Sequence, residues 1–296
     1  LHDNIAHTQS YVLYIPKREK YIKNVMNKLD IDAKYILGPP KAEVDREKLF
    51  KDGMLSKTYY DMNKKEEKGE VAVFLGHVSI LREFLKSDNK YALIFEDDID
   101  WNSEFYGEIS KDVFLNEINK IDFDGSWDIF YLGTENKGEI KNQKHIKDNI
   151  YELESGKIEQ PIKDKTFKSF NISRRTNKTK HRNFGGQQAF IVSYNGAEQI
   201  LKYYNPIYTI SDGLVSYSIM NKDIINRSFI PTLFTQLSHP RLEQFDNKLW
   251  ASQTGTNYWN TSEKYNENMK KNKKGCSAKP LSHKYNSDDM VKYKND

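Results

Sequence analysis

The stretch Tyr91-Ala92-Leu93-Ile94-Phe95-Glu96-Asp97-Asp98-Ile99-Asp100 joins an apolar run to a run that holds four carboxylates. The apolar part has the length and composition of a strand buried on both faces, as in a parallel sheet. In α/β sheets, ligands bind beyond the carboxyl ends of the strands, which is where the acidic run begins. The stretch therefore predicts an α/β fold and a candidate site at the end of this strand.

The acidic run has two interpretations. Alternate side chains of an extended segment share a face, so we expect Glu96 and Asp98 to point together, with Asp97 opposite. Two converging carboxylates are typical of a site for a hard divalent cation, which would neutralise a diphosphate leaving group. The crowded carboxylates would also repel one another without a cation. The alternative is a solvated acidic turn after an edge strand.

Strand and helix patterns alternate on both sides of this stretch. Further strands are predicted at Tyr11–Ile15, Ile36–Leu37, Trp127–Leu132, Gln188–Ser193 and within Ile224–Phe234, which Pro231 interrupts. Helices are predicted at Lys17–Leu29, Gly69–Leu85, Asn195–Tyr204 and from Ser211 onward. The alternation predicts a domain, over residues 1–260, with a mostly parallel central sheet flanked by helices.

Three polar segments interrupt or follow this pattern. Residues 41–68 are highly charged and are interpreted as a surface insertion. Residues 134–182 lack apolar periodicity, which predicts a mobile insertion or a lid that closes over substrate. Residues 261–296 are rich in Lys and Asn and are expected to form a loosely ordered tail.

Composition narrows the class of protein. The chain has 296 residues, with 46 basic and 42 acidic side chains, a mild excess that argues against a dedicated nucleic-acid binder. The single cysteine, Cys276, excludes an intramolecular disulfide and a thiolate zinc site. No apolar run approaches the ~18 residues of a membrane span.

The chain start bears on location. Leu1-His2-Asp3-Asn4 lacks the basic-then-apolar order of a signal peptide, which favours a soluble, cytoplasmic protein. Because the chain begins at Leu and not Met, removal of a leader is the alternative, and the ER lumen would then be the location. The sequence carries no signal for oligomeric state.

Two further motifs could carry chemistry. His77 follows Gly76 on the predicted helix Gly69–Leu85, and its alternative role is a boundary histidine bonded to a neighbouring carbonyl. The glycine pair in Asn183-Phe184-Gly185-Gly186-Gln187-Gln188 would let a ligand approach the backbone closely, or would form an ordinary tight turn.

Taken in order, these motifs resemble glycosyltransferase family 25, which includes bacterial lipopolysaccharide and lipooligosaccharide hexosyltransferases and procollagen galactosyltransferases. The resemblance spans Tyr11 to His239. It rests on Tyr14-Ile15-Pro16-Lys17-Arg18, Gly69–His77, Ala92–Asp98, Trp127–Gly133, Gly186–Ser193, Asn195-Gly196-Ala197 and Ser211–Leu214. Two departures stand out, because the family's Gly-Cys pair is Ala72-Val73 here and its Ser-His pair is Gly76-His77. The second departure is expected to remove a hydroxyl near the donor site.

The resemblance implies a GT-A fold, in which one Rossmann-like domain binds a nucleotide-sugar and a divalent metal, usually Mn²⁺. It also implies a role for each matching residue. Glu96 would face the ribose, Asp98 would ligate the metal, with Glu96 and His239 as further candidate ligands, and Asp97 would support them. Arg18, Glu70 and His77 would lie near the donor, and Gly185, Gly186 and Gln187 would line the sugar or acceptor side. Asp212 would be the catalytic base, and its alternative role is a helix N-cap.

The expected function is transfer of galactose or glucose from UDP-galactose or UDP-glucose to a hydroxyl, with inversion. The Lys/Asn/Tyr-rich composition fits an AT-rich giant virus or bacterium, and the favoured acceptor is hydroxylysine of a collagen-like protein. The alternatives are lipopolysaccharide or lipooligosaccharide synthesis, an inactive glycan-binding module, and a metal-dependent nuclease or phosphatase.

Overall fold

A computed structural model describes residues 7–61, 67–135, 144–153, 185–207, 211–220 and 222–237. Backbone contacts group the chain into Leu1–Thr256 and Asn257–Asp296, and the second unit lies outside the described residues. The predicted tail therefore also lies outside them. Within the described ranges, no helix is long and apolar enough to cross a membrane.

Ten strands and eight α-helices are described. The strands are β1 (Thr8–Tyr14), β2 (Ala33–Leu37), β3 (Tyr91–Glu96), β4 (Ile99–Trp101), β5 (Ile129–Glu135), β6 (Lys144–Lys147), β7 (Ile150–Glu152), β8 (Gly185–Ser193), β9 (Asn226–Phe229) and β10 (Phe234–Gln236). The helices are α1 (Glu19–Leu29), α2 (Arg46–Lys51), α3 (Lys57–Asp61), α4 (Glu67–Phe84), α5 (Ser103–Tyr106), α6 (Lys111–Ile118), α7 (Tyr194–Tyr203) and α8 (Ser211–Met220). Short 3₁₀ helices occupy Pro16–Arg18 and Lys41–Glu43.

Eight strands form one sheet in the order β2-β1-β3-β8-β5-β9-β7-β6, and β4 pairs with β10 in a second, small sheet. The pairs β1–β2, β1–β3 and β5–β9 are parallel. Strand β8 runs antiparallel between β3 and β5, and β7 and β6 extend the far edge as an antiparallel hairpin. The α/β fold with a central sheet flanked by helices is confirmed, and the sheet is mixed.

Both faces of the sheet are covered by apolar packing. On one face, Tyr11, Ile94 and Phe190 belong to a cluster that includes Phe74 of α4. On the other face, Leu93 and Phe95 belong to a second cluster that includes side chains of α1 and α6. Alternate residues of β3 thus enter opposite clusters, as the pleat requires. Each fully buried side chain of this size stabilises the fold by about 1.5–3 kcal/mol.

The interpretation of residues 41–68 as a surface insertion is wrong for their described part. Val44, Leu55 and Tyr59 are each at most 4% exposed and belong to the core cluster with α4. Ser56 N–H donates to the Ile207 carbonyl at 3.0 Å, which anchors the segment to the chain that follows α7. These three buried side chains thus anchor a highly charged segment to the core.

Residues 134–182 are described only at 134–135 and 144–153. Strand β5 continues to Glu135, and the β6–β7 hairpin joins the sheet through the pairing of Ile150 with Phe229. Ile150 is buried, and Leu153 is held by two hydrogen bonds to the side chain of Asn226. These stretches belong to the sheet. The predicted lid concerns residues that lie outside the description, so it stays a prediction.

Candidate active site

The carboxyl ends of β1 and β3 meet at one edge of the sheet. The two strands are parallel, and their register pairs Leu13 with Glu96. After β1 the chain turns through the 3₁₀ helix Pro16–Arg18, and after β3 it turns through Asp97-Asp98. Because the two parallel strands end side by side, this register brings Arg18, a predicted site residue, to the acidic turn.

Asp97 ties these two strand ends together. Its Oδ2 accepts a hydrogen bond from the Ile15 backbone N–H at 2.7 Å, and its Oδ1 accepts one from Arg18 Nη1 at 2.7 Å. Both side chains of the ion pair are buried. Burial raises the pKa of the Asp97 carboxyl, while Arg18 and the Ile15 N–H oppose that rise. Asp97 is thus turned into the protein, and its neighbour Asp98 meets the same guanidinium, so the expectation that Asp97 points away from Asp98 is not met in this turn.

Asp98 lies beneath β10. The Gln236 side-chain amide donates to its two carboxylate oxygens at 3.3 and 3.2 Å, and the Leu237 N–H donates to its carbonyl at 2.7 Å. Arg18 Nη1 lies 3.4 Å from Asp98 Oδ2. The buried guanidinium of Arg18 therefore offsets the repulsion between neighbouring carboxylates. From the sequence, that role was expected of a bound metal cation. The sequence does not predict the contact of Gln236 with Asp98, although Gln236 lies three residues before the candidate ligand His239.

Glu96 is paired with His77 of α4. His77 Nε2 lies 2.9 Å from Glu96 Oε1, and the His77 side chain is 1% exposed. The alternative role of His77, bonded to a neighbouring carbonyl, is wrong for this nitrogen. The preceding Gly76 faces β1, where an added Cβ would lie 2.5 Å from Leu13 Cδ1. A hydroxyl at that position would point into the core, so its loss does not open the donor side.

Glu70 lies two turns before His77 on the same helix. Its Oε2 accepts a hydrogen bond from the Tyr59 hydroxyl at 2.7 Å, and Tyr59 is buried. The contact fastens α3 to the start of α4. A contact of Glu70 with the donor stays a prediction.

The glycine pair opens β8 beside the end of β3. These strands are antiparallel, and Phe95 pairs with Ala189, so the start of β8 meets the carboxyl end of β3. Gly186 has φ 84°, a conformation that side chains with a Cβ rarely adopt. The next residues, Gln187 and Gln188, are buried. The sequence thus brings Gly185, Gly186 and Gln187 to the predicted edge.

Asp212 and His239 can be placed only in part. Asp212 is in the first turn of α8, whose far end leads into β9 at the amino ends of β5 and β9. The Asp212 side chain and all of His239 lie outside the described residues, so their roles stay predictions.

The motif Trp127-Asp128 has a structural role at the opposite edge. Asp128 Oδ1 accepts from the Asn195 amide at 2.7 Å, and its Oδ2 accepts from the Ile225 N–H at 2.8 Å. Asp128 thereby joins the start of β5 to the starts of α7 and β9.

The described residues offer few candidate ligands for a metal ion. They hold no group of three His, Cys, Asp or Glu side chains close enough to bind a cation together. The carboxylate of Asp98 and the amide of Gln236 are side chains of the hard-oxygen class that Mn²⁺ or Mg²⁺ prefers. The Gln236 amide nitrogen, and not its oxygen, faces Asp98, and Glu96 is paired with His77, so Asp98 is the candidate ligand among these side chains. Manganese remains a proposal.

The pattern of glycosyltransferase family 25, described as an LPS biosynthesis protein, matches residues 8–215. A human relative, the inactive glycosyltransferase 25 family member 3, is 39% identical over 66 residues, which are 22% of this chain and 10% of that protein. The inositol-1-phosphate CTP transferase of T. maritima aligns with 85% of this chain and 77% of its own, at 10% identity and a TM-score of 0.34, too low to carry an argument.

The family match contains β1, α4, β3, β8 and the start of α8, whereas β10, which supplies Gln236, lies beyond it. The match covers more than two thirds of the sequence. The chain belongs to glycosyltransferase family 25.

Proposed function

We propose that this chain transfers a hexose, galactose or glucose, from a UDP-sugar to a hydroxyl group of an acceptor. One observation carries the proposal. Within the family match, the acidic turn Glu96-Asp97-Asp98 lies at the shared carboxyl edge of β1 and β3, with its charges held by buried Arg18 and His77. A strand end of this kind is where α/β sheets bind nucleotides.

The UDP leaving group determines which charge the site must stabilise. The bond from the anomeric carbon to UDP breaks as the acceptor oxygen forms its bond, so negative charge develops on the diphosphate. Asp98 would hold a divalent cation, which when bound supplies positive charge to that leaving group. Arg18 lies 3.4 Å from Asp98 and adds a fixed positive charge at the same edge. Glu96, oriented by His77, would accept hydrogen bonds from the ribose hydroxyls.

The attacking hydroxyl must lose its proton as it reacts, which requires a base within hydrogen-bond reach. We assign this role to Asp212, because it matches the acidic residue of the family's V-D-x-x-L/I segment and lies in the first turn of α8. One direct displacement then inverts the anomeric carbon without a covalent enzyme intermediate.

An inactive transferase-like module is the second candidate, because the human relative carries the word inactive in its name. That relative matches 22% of this chain and only 10% of its own length, so its inactivity is a property of that protein. We favour the active enzyme because the acidic turn Glu96-Asp97-Asp98 is intact in this chain.

The proposal is tested by mass spectrometry of acceptors after incubation with UDP-galactose or UDP-glucose and Mn²⁺. A collagen-like peptide that contains hydroxylysine and a lipooligosaccharide are the two acceptors, and we favour the peptide. A mass gain of one hexose on either acceptor supports the transferase. Gain on the lipooligosaccharide alone would reject the collagen acceptor, and binding of UDP-sugar without any transfer would support the inactive module.

A further inference from the structure

A cavity lies at the edge of the sheet opposite the acidic turn. Strands β3 and β5 begin at this edge and β8 ends there, because Tyr91 pairs with Ser193 and Ile129 with Val192. The cavity has a volume of about 530 Å³, within the range of about 300–1,000 Å³ that small-molecule sites occupy. The length of β3 separates it from the acidic turn by roughly 20 Å, since a strand rises ~3.3 Å per residue. The cavity and the candidate active site are therefore two separate places.

Three aromatic side chains line the cavity. Tyr91 and Trp127 are buried, with ring centroids 5.3 Å apart, whereas Tyr194 is 41% exposed. The Tyr194 ring is held at two points. Its centroid lies 6.0 Å from that of Phe84 in an edge-on contact, and its hydroxyl donates to the Leu85 carbonyl at 3.3 Å. The cavity therefore offers a ligand an accessible aromatic ring whose orientation is already fixed.

The polar side chains of the lining include donors and acceptors of hydrogen bonds. Among the described residues, the Asp88 carboxylate and the Lys90 ammonium take part in no ion pair and no side-chain hydrogen bond. The Asn195 amide nitrogen donates to Asp128, which leaves the Asn195 carbonyl oxygen as an acceptor. Asp88 and Asp128 give the lining two negative charges, against one positive charge on Lys90.

This lining discriminates between classes of ligand. A phosphate would meet the excess negative charge of Asp88 and Asp128. An ammonium only donates hydrogen bonds, so it would leave Lys90 without an acceptor and would place two like charges together. A hydroxyl group both donates and accepts, so a neutral ligand with several hydroxyls pairs with Asp88, Lys90 and Asn195 alike. The C–H groups of such a ligand would pack on the Tyr194 ring.

We infer that this cavity binds a saccharide, at a site separate from the candidate active site. A sugar ring combines adjacent hydroxyls with an apolar C–H face, which is the combination that the lining matches. The inference goes beyond the proposed function, because it rests on the lining of the far edge and holds whether or not the acidic turn binds a nucleotide-sugar.

The test is a titration of the full chain with lactose, a disaccharide of galactose and glucose, followed by saturation-transfer NMR. We expect saturable binding to wild type and binding at least about tenfold weaker to Tyr194→Ala, which loses the ring. Tyr194→Phe keeps the ring, and its affinity should stay within about twofold of wild type, since the Tyr194 hydroxyl is bonded to Leu85.

A second variant tests the polar contacts. Lys90→Met should weaken lactose binding about five- to tenfold, as the loss of one hydrogen bond predicts. Lys86→Met is the matched control, since Lys86 is close in sequence, pairs with Glu83 and lies outside the cavity lining. Melting temperatures check that each variant is folded, and Lys90→Met gives the result should Tyr194→Ala fold poorly.

UDP distinguishes this site from the candidate active site. We expect lactose binding to be unchanged when UDP and Mn²⁺ are added. Displacement of lactose by UDP would place the sugar at the acidic turn, which would overturn the inference and still support the proposed function. The absence of saturable binding to wild type, wild-type affinity in folded Tyr194→Ala or Lys90→Met, or displacement by inorganic phosphate or methylammonium would each overturn it as well.

Discussion

Asp97 and Asp98 are neighbours with different surroundings. Asp97 has both oxygens bonded at 2.7 Å to Arg18 and to the Ile15 N–H, whereas the contacts of Asp98 with Gln236 are 3.2 and 3.3 Å. Short bonds to a buried cation fix a carboxylate in the fold, and longer contacts to a neutral amide leave it easier to rearrange around a ligand. The two neighbouring carboxylates of this motif are therefore held differently in the fold.

Asp97→Ala is expected to lower the free energy of unfolding by about 3–5 kcal/mol. It leaves buried Arg18 without its shorter ion pair and removes the acceptor of the Ile15 N–H. Urea denaturation measures the change, and Asp98→Ala, which keeps the Arg18–Asp97 pair, is the comparison. An Asp97→Ala protein as stable as Asp98→Ala would show that the short bonds do not hold the two strand ends.

Asp100 should make stability depend on pH. Burial raises the pKa of Asp100 to about 7, although the Trp101 N–H and the Tyr21 hydroxyl oppose the rise. Between pH ~4 and ~7 the folded chain then keeps a proton that the unfolded chain has released. The free energy of unfolding therefore falls as pH rises through this window.

Asp100→Asn removes that titration and stays neutral. Its stability relative to wild type should rise with pH by on the order of 2 kcal/mol between pH 4 and pH 7. Chemical denaturation at a series of pH values measures the difference. Parallel curves for the two proteins would mean that Asp100 titrates alike in the folded and unfolded chain.

The segment that contains α2 and α3 is part of the core. Leu55→Ala should lower the free energy of unfolding by about 2–5 kcal/mol, because Leu55 is 2% exposed and packs in the cluster with α4. Leu37→Ala on β2 is the matched control, since Leu37 is 51% exposed and its truncation should cost less than about 0.5 kcal/mol. Equal effects would restore the interpretation of a surface insertion.

Substitution of Asp212, at the start of α8, distinguishes a catalytic role of this residue from a helix-capping role. Asp212→Asn keeps a good N-cap but cannot take a proton from the acceptor. We expect a loss of about 100-fold or more in transfer rate with little change in melting temperature. A variant that retains most of the rate would make Asp212 a cap and move the base elsewhere.

Across the whole molecule, local sequence patterns predict the helices and strands better than they predict which residues contact one another. The apolar run of β3, the face of α4 and the acidic turn are each readable within a few residues. The direction of β8 is not, because a strand buried on both faces has the same composition in either direction. The pairing of His77 with Glu96 and of Arg18 with Asp97 joins residues on different elements, and only the assembled sheet brings them together.

The burial of Val44, Leu55 and Tyr59 was unreadable for a related reason. Each lies in a highly charged segment, and the residues that bury it are distant in the sequence, at Ile207 and on α4. The charge balance of the acidic turn also depends on a distant residue, since Arg18 follows β1. The sequence predicts that carboxylates gather at this edge, but it does not predict that the Arg18 guanidinium offsets their charge.

The most direct test is the release of UDP from UDP-galactose and UDP-glucose, with acceptor and Mn²⁺, by wild type, Asp98→Asn and Asp32→Asn. Asp98→Asn keeps the side-chain shape beneath Gln236 and removes the charge, and Asp32 is an exposed residue ahead of β2. We predict that wild type and Asp32→Asn release UDP at similar rates and that folded Asp98→Asn is at least ~100-fold slower. Release at the wild-type rate by folded Asp98→Asn would contradict the assignment of the acidic turn as the donor site.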